Sequence, residues 1–153
     1  MDELSWAAGQ PSQGTTLPEA PTRCVIVVDR ELTGGRLANA IAVIALTVGQ
    51  RHPVLVGEPL VDATGFAHPG LIPLGVTMLA AAQEELAAIR RQGLAAGCDV
   101  VDFPVEGQQT KDYQTFRQAV AGLEPAALRY TGVALVGQKK AVSKIVGKLA
   151  LLN

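Results

Sequence analysis

The sequence has no excess of positive charge, and this argues against nucleic acid as the main ligand. Its 153 residues carry 13 Lys and Arg against 14 Asp and Glu, a net charge of −1. Binding to a phosphate backbone depends on a basic surface that releases counterions. Lys140, Lys144 and Lys148 share one predicted helical face, but lysines on such a face usually lie in water. We therefore expect no strong nucleic-acid footprint.

Long apolar runs and paired cysteines are also scarce. The longest apolar run, 37–48, is interrupted by Asn39 and Thr47 and is well short of the roughly 20 residues that span a bilayer. No signal peptide is recognisable at the start. Cys24 and Cys98 are the two cysteines, too few for a disulfide framework or a cysteine-based metal set. These absences predict a cytoplasmic protein without membrane contact, metal or cofactor, in which both cysteines are small core residues.

No complete motif for nucleophilic or phosphate chemistry is present. The chain lacks G-x-S-x-G, and the glycine pair Gly34-Gly35 lacks the remainder of either phosphate-binding fingerprint. His52 and His68 each precede a proline, without cysteine or acidic ligands at a suitable spacing. Isolated histidines of this kind are more often structural or solvated than catalytic.

What the sequence does contain is an alternation of predicted strands and helices. Residues 1–21 are rich in Pro, Gly, Ser, Thr and Gln and are predicted to form a disordered or extended tail, with Trp6 as a candidate contact residue. Residues 22–153 are predicted to form a single α/β domain. The apolar runs CVIVV and GVALV are continuous, which is typical of strands buried on both faces. We expect a mostly parallel sheet of four to five strands with helices on both faces.

The individual elements follow from the apolar pattern. A segment at 58–76 has several Gly and Pro signals and is predicted to be an excursion over the sheet, in which a small hairpin fits. Segments of this length in compact domains are often functional. Strands are predicted at 24–28, 53–57, 98–103, 129–136 and 148–152, and helices at 35–48, 77–96, 111–121 and 138–146.

Two aspartates follow predicted strands, where α/β proteins commonly place their sites. Asp29 comes directly after the strand 24–28, and Asp102 lies near the end of the strand 98–103. If these strands are parallel neighbours, both carboxylates border one crevice at the carboxyl edge of the sheet. The alternative is that each aspartate only caps its turn by accepting from backbone N–H groups. The two roles can coexist.

The helix start after Asp29 adds hydrogen-bond donors. Gly34 and Gly35 leave backbone N–H groups near a helix N-terminus, which is a weak anion site. Arg36 opposes the helix dipole, so we expect it to pair with an acid, Asp29 or Glu31, or to bind an anionic ligand. Asn39 needs a partner if it is buried, and a loop carbonyl is the expected one. The predicted ligand-binding residues are Gly34, Gly35, Arg36, Asn39 and Asp102, and the catalytic candidates are Asp29, Arg36 and Asp102.

The order of these pieces resembles the type 2 peptidyl-tRNA hydrolases. VIVVDRELTGGRLANAIAVIAL is similar to that family's opening strand, acidic turn, glycine loop and Ala-rich helix, and TGVALVG with AVSKIVGKLALL is similar to its last elements. The stretches VVDRELTGGRLANAIAVIALTVG and DATGFAHPG and the ending GKLALL fit more closely a family of small bacterial proteins of unknown function, domain of unknown function 2000. That family resembles the hydrolases in fold, so the resemblance implies a peptidyl-tRNA hydrolase 2-like fold.

The resemblance also assigns positions to the hydrolase site. Asp102 matches the hydrolases' active-site aspartate, and Arg36 stands where they have an essential lysine. Val43 replaces a histidine, and Ala40 replaces a glutamine. The permanently charged guanidinium of arginine cannot shuttle a proton as an amine does. We therefore expect the scaffold without peptidyl-tRNA hydrolysis.

Two hypotheses of function follow. The first is a protein that binds or acts on a small ligand bearing an anionic or amide group, in a pocket at the carboxyl edge of the sheet. The alternative is a non-catalytic interaction or regulatory protein that forms a homodimer through the strand edge near 148–152 or through Trp6. The apolar content of 48% motivates the alternative.

Overall fold

The computed structural model describes residues 19–153. Trp6 and all but the last three residues of the predicted tail lie outside this part of the chain. The domain begins where the N–H of Thr22 donates to the carbonyl of Gly137 at 3.0 Å. The first strand, β1 (Arg23–Asp29), is buried from Cys24 to Asp29, because its β-branched run is covered on both sides.

Fourteen helical and strand elements follow one another along the described residues. After β1 come α1 (Gly34–Arg51), a 3₁₀ turn (Pro53–Leu55), β2 (Leu60–Val61), β3 (Ala67–His68), β4 (Val76–Ala81), α2 (Gln83–Ala95), β5 (Asp99–Pro104), α3 (Glu106–Gln109), α4 (Tyr113–Ala121), a second 3₁₀ turn (Pro125–Ala127), β6 (Tyr130–Gly137), α5 (Lys139–Val146) and β7 (Ala150–Leu151).

The main sheet has five strands in the order β5-β6-β1-β4-β7. Only β1 and β4 pair in parallel, while β6 is antiparallel to both β1 and β5, and β7 is antiparallel to β4. The α/β class and a sheet of four to five strands are confirmed, but the expectation of a mostly parallel sheet is wrong. The prediction failed because a continuous apolar run indicates burial on both faces of the sheet but not the direction of the strand. All eight residues of β6 are buried although β6 is antiparallel to its neighbours.

Helices cover both faces of this sheet, as predicted. On one face, α2 and α5 pack against alternate β1 residues, Val25 and Val27. On the other face, α1 packs against Ile26 and Val28 through its buried residues Ala40, Ile44 and Val48. The odd and even positions of β1 therefore belong to two separate core layers.

Two predicted elements are wrong in type. The segment 53–57 contains a 3₁₀ turn and no strand, since Pro53 lacks the N–H that a sheet ladder requires. The predicted helix 77–96 is a strand followed by a helix, because Val76–Ala81 pairs along β1. Met, Leu and Ala favour helices in isolation, and the pairing with β1 overrides that preference.

The excursion over the sheet does contain a hairpin, formed by β2 and β3. Its turn is organised by Asp62, whose Oδ1 accepts from the backbone N–H groups of Thr64 at 2.9 Å and Phe66 at 3.2 Å. His68 Nε2 lies 2.9 Å from Asp62 Oδ2. Hydrogen bonds from Thr64 and His68 lower the pKa of Asp62 to about 2. No helix among residues 19–153 is long and apolar enough to cross a membrane.

Candidate functional site

A polar cavity of about 280 Å³ lies where β1 ends and α1 begins. We call it the carboxyl-edge pocket. The beginning of the antiparallel β6 reaches the same edge, so Thr131 forms part of the wall and its Oγ1 donates to the carbonyl of Phe103 at 3.0 Å. The pocket is lined by Asp29, Glu31, Leu32, Arg36, Gln83, Val105, Gln108, Gln109 and Thr131.

Asp29 both caps its turn and lines this pocket. Its side chain is buried, with a residue exposure of 7%. Oδ1 accepts from the N–H of Glu31 at 2.9 Å, and Oδ2 accepts from Gln83 Nε2 at 3.3 Å. Capping the turn does not keep Asp29 out of the pocket. Its Oδ1 accepts from Glu31, and the carboxylate still forms part of the pocket wall.

The start of α1 lies beside the pocket and has backbone donors that no side chain caps. Gly34 and Gly35, which the sequence predicted as ligand-binding residues, are not part of the pocket lining. Thr33 has an extended backbone and its side chain makes no capping hydrogen bond, and the first turn contains no acidic residue. Gly34 has a φ of +53°, a left-handed conformation that favours glycine. The first N–H groups of α1 therefore lack the side-chain acceptor that usually satisfies a helix N-terminus.

Arg36 projects from this first turn and lines the pocket. Within residues 19–153 its guanidinium makes no hydrogen bond and no ion pair. Asp29 is bonded to Gln83 instead, and the carboxylate of Glu31 lies 3.9 Å from Nε of Arg30. In the described part of the chain Arg36 therefore pairs with neither Asp29 nor Glu31. The other expectation for Arg36, binding of an anionic ligand, stays a prediction.

Gln108 joins the short helix α3 to α1. Its Nε2 donates to the carbonyl oxygen of Arg36 at 2.8 Å and to Oδ1 of Asn39 at 3.2 Å. Asn39 is exposed and lines a neighbouring cavity beside Tyr113 and Phe116, not the carboxyl-edge pocket. Its partner is thus a glutamine side chain from a distant segment, where a loop carbonyl was expected.

Asp102 is held outside the carboxyl-edge pocket. Strand β6 lies between β1 and β5, so the two strands that carry Asp29 and Asp102 are not neighbours. Oδ2 of Asp102 accepts from Nε of Arg90 at 2.6 Å, and the guanidinium of Arg90 lies 5.8 Å from the ring centre of Tyr130. The structure therefore brings Asp29 and Arg36 together and separates both from Asp102.

Several pocket residues carry no signal in the sequence. Gln83, Gln108 and Gln109 contribute three side-chain amides, and Gln109 makes no hydrogen bond through its amide within residues 19–153. Gln83 falls within the stretch that the apolar pattern assigns to one long helix, and Gln108 and Gln109 fall in a stretch that it assigns to a loop. The one available hint is the polar run EGQQ directly after β5.

A second buried polar cluster lies at the opposite edge of the sheet. Arg51 donates from Nε and from its terminal nitrogen to the two oxygens of Asp99, both at 2.9 Å, and His52 Nε2 lies 2.6 Å from Asp99 Oδ2. Burial raises the pKa of Asp99, but hydrogen bonds from Arg51 and His52 outweigh burial and leave it below its usual range. This cluster ties the end of α1 to the start of β5.

The described lining of the carboxyl-edge pocket contains no cysteine and no cluster of metal ligands. No three His, Cys, Asp or Glu side chains among the described residues are placed to hold a metal ion. Cys24 and Cys98 are free and buried, and they belong to different core layers. Burial raises the pKa of the Cys24 thiol to about 11 and also raises that of Cys98.

Comparison with known proteins supports the fold and gives no activity. The sequence profile described as "Protein of unknown function (DUF2000)" matches residues 22–153. A solved structure of a protein of unknown function from Agrobacterium tumefaciens is similar with a TM-score of 0.76 and 22% identity, over 84% of this chain and 96% of that one. No curated protein sequence matches the chain. The resemblance to the fold of the type 2 peptidyl-tRNA hydrolases stays a prediction.

Proposed function

The chain belongs to the DUF2000 family of proteins of unknown function, and we propose that it binds a small molecule bearing an anionic or amide group. The proposed binding site is the carboxyl-edge pocket. One observation carries this proposal. Arg36, a cation that makes no hydrogen bond or ion pair within residues 19–153, shares a cavity with the buried carboxylate of Asp29.

The donor and acceptor groups of the pocket suit such a ligand. Arginine offers a planar fork of N–H donors that matches carboxylate and phosphate oxygens. The unfilled N-terminus of α1 adds a favourable potential for negative charge on the same side. Gln109 and the carboxylate of Asp29 can pair with both ends of an amide group.

Binding is better supported than proton transfer. Arg36 cannot release a proton at neutral pH. Asp29 accepts one hydrogen bond on each carboxylate oxygen, from Glu31 and Gln83, and its remaining lone pairs can accept from a ligand N–H. The described lining contains no His, Lys, Cys or Tyr that could exchange a proton with a ligand near neutral pH. The groups in this pocket therefore favour recognition, and we assign them no catalytic step.

A thermal-shift panel of inorganic phosphate, small carboxylates and small primary amides tests the proposal. A compound at a hundred times its Kd should stabilise the protein by about 2.7 kcal/mol.

Arg36→Ala should weaken anion binding by about 1.5–3 kcal/mol, roughly ten- to hundredfold in Kd. Gln109→Ala should weaken the amides instead. Arg91→Ala, which removes an exposed arginine outside the pocket, is the matched control. Hits that bind Arg36→Ala and Gln109→Ala as they bind the parent would place the ligand elsewhere.

The alternative of a homodimer is favoured by a separate observation. The hairpin of β2 and β3 exposes Leu60, Val61 and Phe66 by 53%, 66% and 62%. Exposed large apolar side chains concentrated in one short segment often mark an interaction surface. The edge strand β7, proposed from the sequence, pairs over only two residues and exposes Leu151. Sedimentation at micromolar concentration tests this alternative, with Phe66→Ser as the variant that should dissociate a dimer formed through the hairpin.

We further propose that the protein works in the cytoplasm. A chain that carries two free thiols and no disulfide among its described residues fits a reducing compartment. The absence of a basic excess fits a small-molecule ligand better than a polyanionic one.

A further inference from the structure

A second cavity lies at the other end of α1 and has the opposite chemistry. It has a volume of about 260 Å³, and all eleven residues that line it are apolar. We call it the apolar cavity. Its floor consists of buried residues, among them Cys24, Ile26 and Leu55, and its rim includes Val56 and Leu71, which are 51% and 67% exposed. The cavity is thus open to solvent at its rim and apolar throughout.

The roof of this cavity comes from the excursion and is fixed in place. The N–H of Gly57 donates to the carbonyl of Leu71 at 2.8 Å. A Cβ on Gly70 would overlap the carbonyl of Gly57, so this crossing of two backbones requires glycine. Gly70, Leu71 and Ile72 belong to the lining. Because the neck of the excursion is closed in this way, the cavity is preformed, and a ligand entering it has little ordering cost.

Gly49 indicates that the cavity is kept open. This glycine lies inside α1, where glycine is less favourable than alanine. It also lines the cavity, and a Cβ built on it would meet no atom within 4 Å. Close packing therefore does not explain the glycine. A larger residue here would stabilise the helix and occupy the cavity.

We propose that the apolar cavity binds the alkyl chain of a small neutral ligand, independently of the carboxyl-edge pocket. An apolar cavity of about 150 Å³ in another protein binds benzene, which has six carbon atoms. If the number of bound carbon atoms scales with cavity volume, the apolar cavity of about 260 Å³ holds a hydrocarbon group of about ten carbon atoms. The lining contains no aromatic ring that could stack on a planar ligand. Among the described residues, no Lys or Arg lines the cavity. The two arginines next to lining residues in the sequence bind other groups, Arg51 the carboxylate of Asp99 and Arg23 the hydroxyl of Thr77, so the lining favours a neutral ligand.

Straight-chain alcohols from 1-butanol to 1-octanol are the probes, with binding followed by NMR of isoleucine methyl groups. Each buried methylene should tighten binding by about fourfold, or roughly 250-fold over the four methylenes of the series. The methyl signals of Ile26 and Ile72, which line the cavity, should shift with 1-octanol. Ile89 and Ile145, which belong to the core layer on the opposite face, are the internal controls.

Gly49→Leu should fold at least as stably as the parent and lose at least tenfold in affinity for 1-octanol. Ala45→Leu, a second substitution in the lining, should have the same effect if Gly49→Leu does not fold. Ala42→Leu, on the exposed part of α1, is the matched control and should bind as the parent does.

The proposal is overturned if 1-octanol fails to bind or binds no more tightly than 1-butanol. It is equally overturned if Ile89 and Ile145 shift in place of Ile26 and Ile72, or if the folded lining variants retain full affinity.

Discussion

Nε of Arg90 lies 2.6 Å from Oδ2 of Asp102, and both side chains are about one third exposed. This ion pair links α2 to β5, and Asp102 is not part of the lining of the carboxyl-edge pocket. The aspartate that the hydrolase resemblance assigns to the active site is therefore committed to a structural partner.

Asp102→Asn should leave ligand binding at the carboxyl-edge pocket within twofold of the parent. Because the pair with Arg90 is partly exposed and screened by solvent, its loss should cost at most about 1 kcal/mol of unfolding free energy. Calorimetric titration with the best anionic hit and urea denaturation measure the two effects. A tenfold loss of affinity in Asp102→Asn, with Arg36→Ala unaffected, would return Asp102 to the site.

Asp99→Asn should destabilise the protein strongly, by about 3 kcal/mol, which is the lower end of the range for breaking a buried ion pair. The substitution removes the charge that faces Arg51 and His52, and both Asp99 and His52 are less than a tenth exposed. Urea denaturation measures the change. Glu58→Gln, which removes an exposed carboxylate outside the helices and strands, should leave the denaturation midpoint unchanged, and equal effects of the two substitutions would contradict a role for the buried cluster.

The contribution of Asp99 should also depend on pH. Its pKa lies below the usual range in the folded protein, so the stabilisation is complete above the unfolded-state pKa of about 3.9 and is lost as the pH falls through the folded value. The difference in unfolding free energy between the parent and Asp99→Asn should therefore shrink below about pH 4. A difference that grows in acid would mean that Asp99 is protonated in the native state.

Both thiols should be free and unreactive in the native protein. Cys24 is 2% exposed with a pKa of about 11, and Cys98 is 7% exposed, so little of the reactive thiolate is present at neutral pH. Mass measurement after alkylation should find neither thiol modified in the folded protein and both modified in urea. A disulfide in protein prepared without reductant would contradict their placement on opposite faces of the sheet.

Purified protein should not hydrolyse peptidyl-tRNA above background. The chain has no basic excess, Arg36 replaces a lysine, and Val43 and Ala40 stand where the resemblance implies polar side chains. The loss of each general acid–base or electrostatic group typically costs about 10²- to 10³-fold in rate. Single-turnover hydrolysis at physiological salt is the measurement. Turnover within about tenfold of an authentic type 2 hydrolase, abolished by Asp102→Asn, would show that the site tolerates these replacements.

The sequence alone determined the features that depend on neighbours along the chain. The run Cys24–Val28 predicted β1, and Gly34-Gly35 predicted the start of α1 directly after the polar turn at Asp29. Alternating strand and helix signals predicted the α/β class and helices on both faces. These features follow from backbone conformation and apolar periodicity, which act over a few residues.

Only the tertiary structure decided which polar groups meet. Insertion of β6 between β1 and β5 separates Asp102 from Asp29, while α2 and α3 bring Gln83, Gln108 and Gln109 to Asp29 and Arg36. Strand direction is not encoded in a run of buried residues, because parallel and antiparallel central strands bury the same side chains. Val76–Ala81 became a strand for the same reason: its backbone pairs with β1, fifty residues away, and that pairing outweighs the local preference of its side chains for a helix.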